Sequence, residues 1–182
     1  MEPVAERYRR LSSVMTDRIA AVPSSAWSNR SPCSEWTARD LVGHLIEIHG
    51  RFQGLVGRSL VPHPAVELEP LGAWVAVRDQ MQADLDDPER VAEEYDGLLG
   101  RSTFGASVDG FVCFDLVVHG WDLARATGQD ETMDPGEVER LQAMVDQMGH
   151  LMLENGVISR QLDAGPDATP QQRLLAGLGR EA

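Results

Sequence analysis

Asp115, His119 and Asp122 are the residues of this chain whose types and spacing most directly suggest chemistry. On a helix that advances about 100° per residue, the three fall within about 60° of one another. Asp115 and His119 stand at i and i+4, which sets a carboxylate oxygen beside an imidazole nitrogen, a pair able to grip one divalent ion. The other reading of such a pair is structural, an Asp and a His bonded to each other. The surroundings raise the stakes for either. From Gly110 to Gly128 the sequence runs GFVCFDLVVHGWDLARATG, and Phe111, Val112, Phe114, Leu116, Val117, Val118, Trp121, Leu123 and Ala124 spread right around the wheel. That is the pattern of a helix enclosed by others. A carboxylate buried there without a partner would be costly, so neighbouring helices must present cations, donors or a metal ion.

One helix supplies only part of a coordination sphere. Histidine is the natural source of a further ligand, because imidazole suits zinc, nickel and iron alike. The chain holds His44, His49, His63, His119 and His150. His63 lies between prolines and His150 near the middle of a late helix, so His44 and His49 are the better placed. Each sits at an edge of the same apolar face, and spacing leaves both open. Asp122, one turn beyond His119, can fix the orientation of a ligating imidazole, or pair with Arg125 or another arginine. Trp36 and Trp121 can wall a small-molecule pocket beside the ion, or simply fill a bundle core. Cys113 lies about 200° from Asp115 on the wheel and should not share the ion. With Cys33 it reads as a buried free thiol rather than part of a disulfide framework.

The elements that must position these groups read as helices. Val4, Tyr8, Leu11, Val14, Met15, Ile19 and Val22 mark an amphipathic helix over Val4 to Val22. A loop from Ala26 to Trp36 follows, and Thr37 with Asp40 resembles a capping box. The second helix runs to about Gly57 on Leu41, Leu45, Ile48, Phe52, Leu55 and Val56. Pro62, Pro64 and Pro70 make a linker. A third helix spans Gly72 to Leu85 on Trp74, Val77, Met81 and Leu85. Glu89 to Thr103 reads as a short helix or turn. The central helix ends at Gly128, a left-handed cap, and Asp134, Pro135 and Glu137 start another. That helix is carried by Leu141, Met144, Val145, Met148, Leu151 and Met152, the methionines as core filler. Thr169, Pro170 and Gln172 start a short last helix through Leu174, Leu175 and Leu178. A strand is conceivable only over Val157 to Leu162. The expected class is all-α, an antiparallel four-helix bundle with short additional helices, forming a single domain over 1–182.

Two segments, CSEWTARDLVGHL (33–45) and FDLVVHGWDLARATG (114–128), together resemble the DinB/YfiT-like metal-binding bundles. The closer likeness is to the actinobacterial branch similar to the N-terminal domain of mycothiol-dependent maleylpyruvate isomerase. RLLAGLGR (173–180) is similar to the tail of that branch. The resemblance implies a three-ligand metal centre on His44, Asp115 and His119. It also implies two departures. The isomerase typically has glutamate at the position of Asp115, and it carries an additional C-terminal domain that this chain is too short to hold.

Composition narrows the partners. A net charge of -13 over 182 residues argues against nucleic acid or an anionic membrane surface. All 16 basic residues are arginine, which excludes a lysine Schiff base or nucleophile. Without an export signal or a membrane-length apolar run, the expected location is the cytoplasm. Three protein ligands leave positions for water or a small thiol, which the ion would deliver as a thiolate. The expectation is thus a divalent-metal protein, with zinc first and nickel or iron as alternatives. It would act as a thiol-dependent transferase or isomerase on a small molecule, a homodimer being left open. The rival expectations are a non-catalytic metal- or small-ligand-binding protein and a helical interaction protein without metal.

Overall fold

The computed structural model describes residues 2–33, 36–97, 100–154, 156, 158 and 160–181. Among the described residues the protein is all-α apart from one small antiparallel pair of strands. Two compact units divide it, Met1–Asp130 and Glu131–Ala182.

The first unit is built on four long helices: α1 (Val4–Ala20), α2 (Ala38–Leu55), α3 (Pro70–Leu85) and, after shorter elements, α6 (Cys113–Thr127). They pack as a closed ring in which α1 meets α3 and α6, and α2 meets the same two. Tyr8, Leu11, Met15 and Ile19 of α1 are buried against one another's neighbours Trp74, Val77 and Met81 of α3 and Leu116 and Leu123 of α6 in a common core. Burial of large apolar side chains at helical spacing is what holds such a ring.

Local signals set the helix ends. Thr37 and Asp40 form the expected capping box, Thr37 N donating to Asp40 Oδ2 at 2.8 Å and Asp40 N to Thr37 Oγ1 at 3.3 Å. Pro70 belongs to α3 rather than to the linker, at the first turn, where a proline's missing N–H costs nothing. Gly128 ends α6 with φ 72°, the left-handed cap.

Three expectations need correction. The central rod does not begin at Gly110: α5 (Phe104–Ser107) leads through a π-helical turn, Val108–Val112, into α6. The wide turn is matched to the buried Arg7, whose guanidinium donates to the carbonyl oxygen of Asp109 at 2.6 Å and to its carboxylate at 2.9 Å. Phe111, expected inside, is 38% exposed and stacks on Phe52 with ring centroids 5.8 Å apart. Glu89 to Thr103 holds the short α4 (Pro88–Val91) and then an antiparallel pair, β1 (Glu94–Gly97) with β2 (Gly100–Thr103). Four-residue strands of polar and small residues carry too little alternation to be read in advance.

The second unit holds α7 (Pro135–Glu154) and α8 (Pro170–Gly177), packed together. Val138, Leu141, Val145 and Met152 are buried on one, Leu174 and Leu175 on the other. The Thr169–Gln172 capping box starts α8 as its sequence foretold. In the stretch considered for a strand, Val157 and Ser159 lie outside the described residues, and Ile158 and Arg160 to Leu162 are not in a strand.

Candidate metal centre

α6 presents Asp115 near its first turn and His119 one turn on, and α2 brings His44 to the same place. His44 Nε2 lies 3.4 Å from Asp115 Oδ2, and His119 Nε2 lies 3.9 Å from Asp115 Oδ1. One donor atom from each of the three falls within 4.8 Å of the other two. The two imidazole rings meet edge to face, centroids 4.9 Å apart. The shorter side chain of aspartate therefore still reaches both histidines.

His119 is held in one orientation. Its Nδ1 stands 2.9 Å from Asp122 Oδ2, and Asp122 is wholly buried. A carboxylate accepts, so the ring proton belongs on Nδ1 and the lone pair on Nε2, the nitrogen nearest Asp115. Of the two roles open to Asp122, orienting the imidazole is the one this contact serves. Arg125 lies over the Trp121 ring, 5.4 Å from its centroid.

The donors keep partial contact with solvent. The His44 and Asp115 side chains are 24% and 19% exposed, against 8% for His119. Two imidazoles and a carboxylate are a donor set suited to a divalent transition ion, and their residual exposure leaves room for a further small ligand. The residues present thus fit such an ion.

Trp36 walls the site, its ring 4.5 Å from that of His44 and 5.6 Å from that of His119, centroid to centroid. It is carried by a tight loop. Ser31 N donates to the Trp36 carbonyl and Trp36 N to the Cys33 carbonyl, each at 2.9 Å, while Asn29 Nδ2 reaches the carbonyl of Ala126 on α6 at 2.9 Å. Trp121 is not brought to this group. It is 1% exposed, two positions along α6 from His119 and so about 200° around the helix.

His49 goes elsewhere. It lies at the centre of the buried face of α2, not at its edge, because Ile48, Leu55 and Val56 are less buried than Val42, Ile46 and Gln53. His49 Nδ1 donates to the Leu45 carbonyl at 2.6 Å, so Nε2 accepts from the Tyr8 hydroxyl at 2.8 Å. Burial pushes the His49 imidazole down to about 4 and the Tyr8 hydroxyl well up, so neutral His49 and protonated Tyr8 are the forms that fit. His63 and His150 are exposed.

Cys33 is the residue that spacing alone missed. It is half-buried rather than enclosed, and its sulfur falls within 4.8 Å of donor atoms of His119 and Asp122. Its position in the Cys33–Trp36 segment, just ahead of the helix bearing His44, was the available signal. Cys113 is buried and belongs to neither donor group.

No described helix is long and apolar enough to cross a membrane. Comparison with known proteins adds two relatives, "Uncharacterized protein MT0763" and "Uncharacterized protein Rv0738", from the CDC 1551 / Oshkosh and H37Rv strains of Mycobacterium tuberculosis. Each is 28% identical over 185 residues, covering 99% of this chain and 98% of its own. No solved structure matches at comparable stringency. The family described as "Mycothiol maleylpyruvate isomerase N-terminal domain" matches residues 8–124, which contain most of α1, all of α2 and α3, and the three donors His44, Asp115 and His119. The helical fold is consistent with the wider DinB-like superfamily, and the chain belongs to the mycothiol maleylpyruvate isomerase N-terminal domain family.

Proposed function

We propose that the protein binds one divalent transition-metal ion through His44, Asp115 and His119 and uses it in thiol-dependent transferase or isomerase chemistry on a small molecule. The observation that carries this is the convergence of three donors from two helices within 4.8 Å, with partial solvent access. Family membership supports the thiol as cosubstrate. Zinc is the first candidate, nickel and iron the next.

A divalent ion held there supplies Lewis acidity that favours the thiolate form of a small thiol at neutral pH. The protein does the rest. Asp122 keeps the Nδ1 proton of His119 and thereby aims Nε2. Trp36 covers one side of the donors and narrows the approach of water. His44 and Asp115 leave an open edge by which thiol and substrate enter. The thiolate sulfur forms a bond to a substrate carbon. Addition to an activated double bond, rotation and elimination of the thiolate give an isomerase, and displacement of a leaving group gives a transferase. The acidic surface fits a small-molecule substrate and no nucleic acid, and the cytoplasm is the location that suits a small-thiol reaction.

Metal analysis after reconstitution with zinc, nickel or iron tests the first half. About one equivalent is expected, lost in His119→Ala and, for nickel, in His44→Ala as well. Less than about a tenth of an equivalent would remove the reading. Titration of the cobalt-loaded protein with a low-molecular-weight thiol tests the second half. A new sulfur-to-cobalt charge-transfer band is expected, and its absence at saturating thiol would leave a metal-binding protein without thiol chemistry.

A further inference from the structure

A second convergence of donors lies against the first and uses the thiol of Cys33. One atom each from Cys33, His119 and Asp122 lies within 4.8 Å of the other two. We infer that Cys33, His119 and Asp122 form a separate seat for a thiophilic divalent ion of the cadmium or zinc class. It shares only His119 with the ligand set proposed above and stands without the thiol chemistry assigned to it.

The chemistry of the set is that of a soft-metal site. Thiolate, imidazole and carboxylate are all zinc-class ligands, and the sulfur biases the set toward soft ions. The geometry is near what such an ion needs. Metal bonds of about 2.3 Å to sulfur and 2.0–2.1 Å to nitrogen or oxygen put donors roughly 3.3–3.7 Å apart. Separations of up to 4.8 Å need to close by at most about 1.1–1.5 Å, while the 2.9 Å between His119 Nδ1 and Asp122 Oδ2 needs only to open slightly. His119 and Asp122 are fixed, being 7% and 0% exposed on α6. Cys33 supplies the adjustment. It is half-buried on the loop ahead of α2, where its carbonyl accepts from Ser31 Oγ at 3.0 Å and from Trp36 N at 2.9 Å.

The two seats lie toward different edges of one imidazole. Asp115 faces Nε2 of His119, and Asp122 meets Nδ1. In the first seat Asp122 accepts the proton that orients the ring, and in the second it is itself a ligand. As the metal bonds form, the Cys33 thiol gives its proton to solvent, and the His119 ring proton leaves Nδ1 while one is taken up from solvent at Nε2, so that the neutral imidazole binds through Nδ1. A thiophilic ion therefore competes with the ion of the first seat by taking over the group that orients His119.

The test uses the full-length protein loaded with Co2+ or Cd2+ and no added thiol. Wild-type protein with Co2+ is expected to show a sulfur-to-cobalt charge-transfer band, which Cys33→Ser abolishes while visible ligand-field bands persist. Cd2+ affinity is expected to fall about tenfold or more in Cys33→Ser, and Ni2+ affinity to change less than about threefold. His44→Ala is expected to keep the charge-transfer band. A measurement on the unmodified chain guards against a misfolded variant: Cd2+ is expected to slow alkylation of Cys33 by iodoacetamide about tenfold or more, read by peptide mass spectrometry. Ligand-field bands without a charge-transfer band in the wild type, or unchanged Cys33 alkylation at saturating Cd2+, would overturn the second seat and leave the first standing. A charge-transfer band with a cobalt spectrum indifferent to both His44→Ala and Asp115→Ala would do the opposite. The thiol titration of the preceding section belongs in the Cys33→Ser protein, where any new band must come from the added thiol.

Discussion

His49 holds its place in the core only while it is neutral. An ordinary imidazole titrates at 6.5, and burial brings this one down to about 4, with the Leu45 carbonyl opposing the shift. As pH falls the unfolded chain takes the proton first. The stability that neutral His49 contributes is whole above about pH 6.5 and is lost as pH falls toward 4, by about 3 kcal/mol in all. Asp40 works in the same direction, its carboxyl held low first by the Thr37 hydroxyl and then by the Thr37 N–H. Urea unfolding of His49→Gln between pH 7 and 4 should show a flatter decline than the wild type. An unaltered slope would move the acid sensitivity to other groups. Asp122 acts on the centre through His119. Asp122→Asn, made in the Cys33→Ser background, keeps the size but replaces an acceptor-only carboxylate by a neutral amide that can also donate, so the proton is no longer fixed on Nδ1. Nickel affinity by calorimetry should drop about 10–100-fold with stability reduced far less than binding. Equal nickel affinity in the two proteins would show that the ring needs no such partner.

The helices place His44 and the α6 residues by different means. α2 is fixed at its start by the Thr37–Asp40 box, two turns ahead of His44. Removing the hydroxyl in Thr37→Ala should cost about 1 kcal/mol in chemical denaturation. The same hydroxyl also contacts the Asp40 carboxylate at 2.7 Å, so the acid-side loss of stability should weaken with it. A loss below a few tenths of a kcal/mol would show that packing of Leu41 and Leu45 alone sets the start of the helix. α6 is set by the π-helical turn before it, which Arg7 of α1 braces at Asp109. An extra residue in one turn rotates everything that follows by about 100°, and the polar stripe with it. A bulge of that kind costs backbone regularity, and it stands directly ahead of the segment that carries two of the donors.

At the scale of the whole molecule, a preformed donor set links metal to folding. An ion bound by the native state and not by the unfolded chain adds about 2.7 kcal/mol at a hundredfold excess over Kd, or roughly 5–10 °C in Tm for a chain of this size. Scanning calorimetry with zinc or nickel, reversed by a chelator, should show that rise. A bound equivalent without a thermal shift would mean that the three donors are not assembled before the ion arrives. A net charge of -13 repels phosphate backbones.

Sequence alone determined the all-α class, most helix boundaries and the family. Helical periodicity and capping chemistry are local, and Thr37–Asp40, Gly128 and Thr169–Gln172 were legible for that reason. It also narrowed the donors, because an Asp–His pair on an apolar rod is conspicuous wherever the rod lies. Tertiary structure decided what depends on meeting across helices. His44 and His49 looked equivalent from the pattern of α2, and only the approach of Tyr8 and of α6 separated a core histidine from one facing Asp115. Cys33 and Trp36 needed the loop to close over the helices before either had a place. The strand pair and the π-helical turn escaped because each is satisfied by distant partners, Ser107 for Tyr95 and Arg7 for Asp109. Spacing along one helix fixes which groups share a face, and the packing of chain segments far apart in sequence fixes what that face meets.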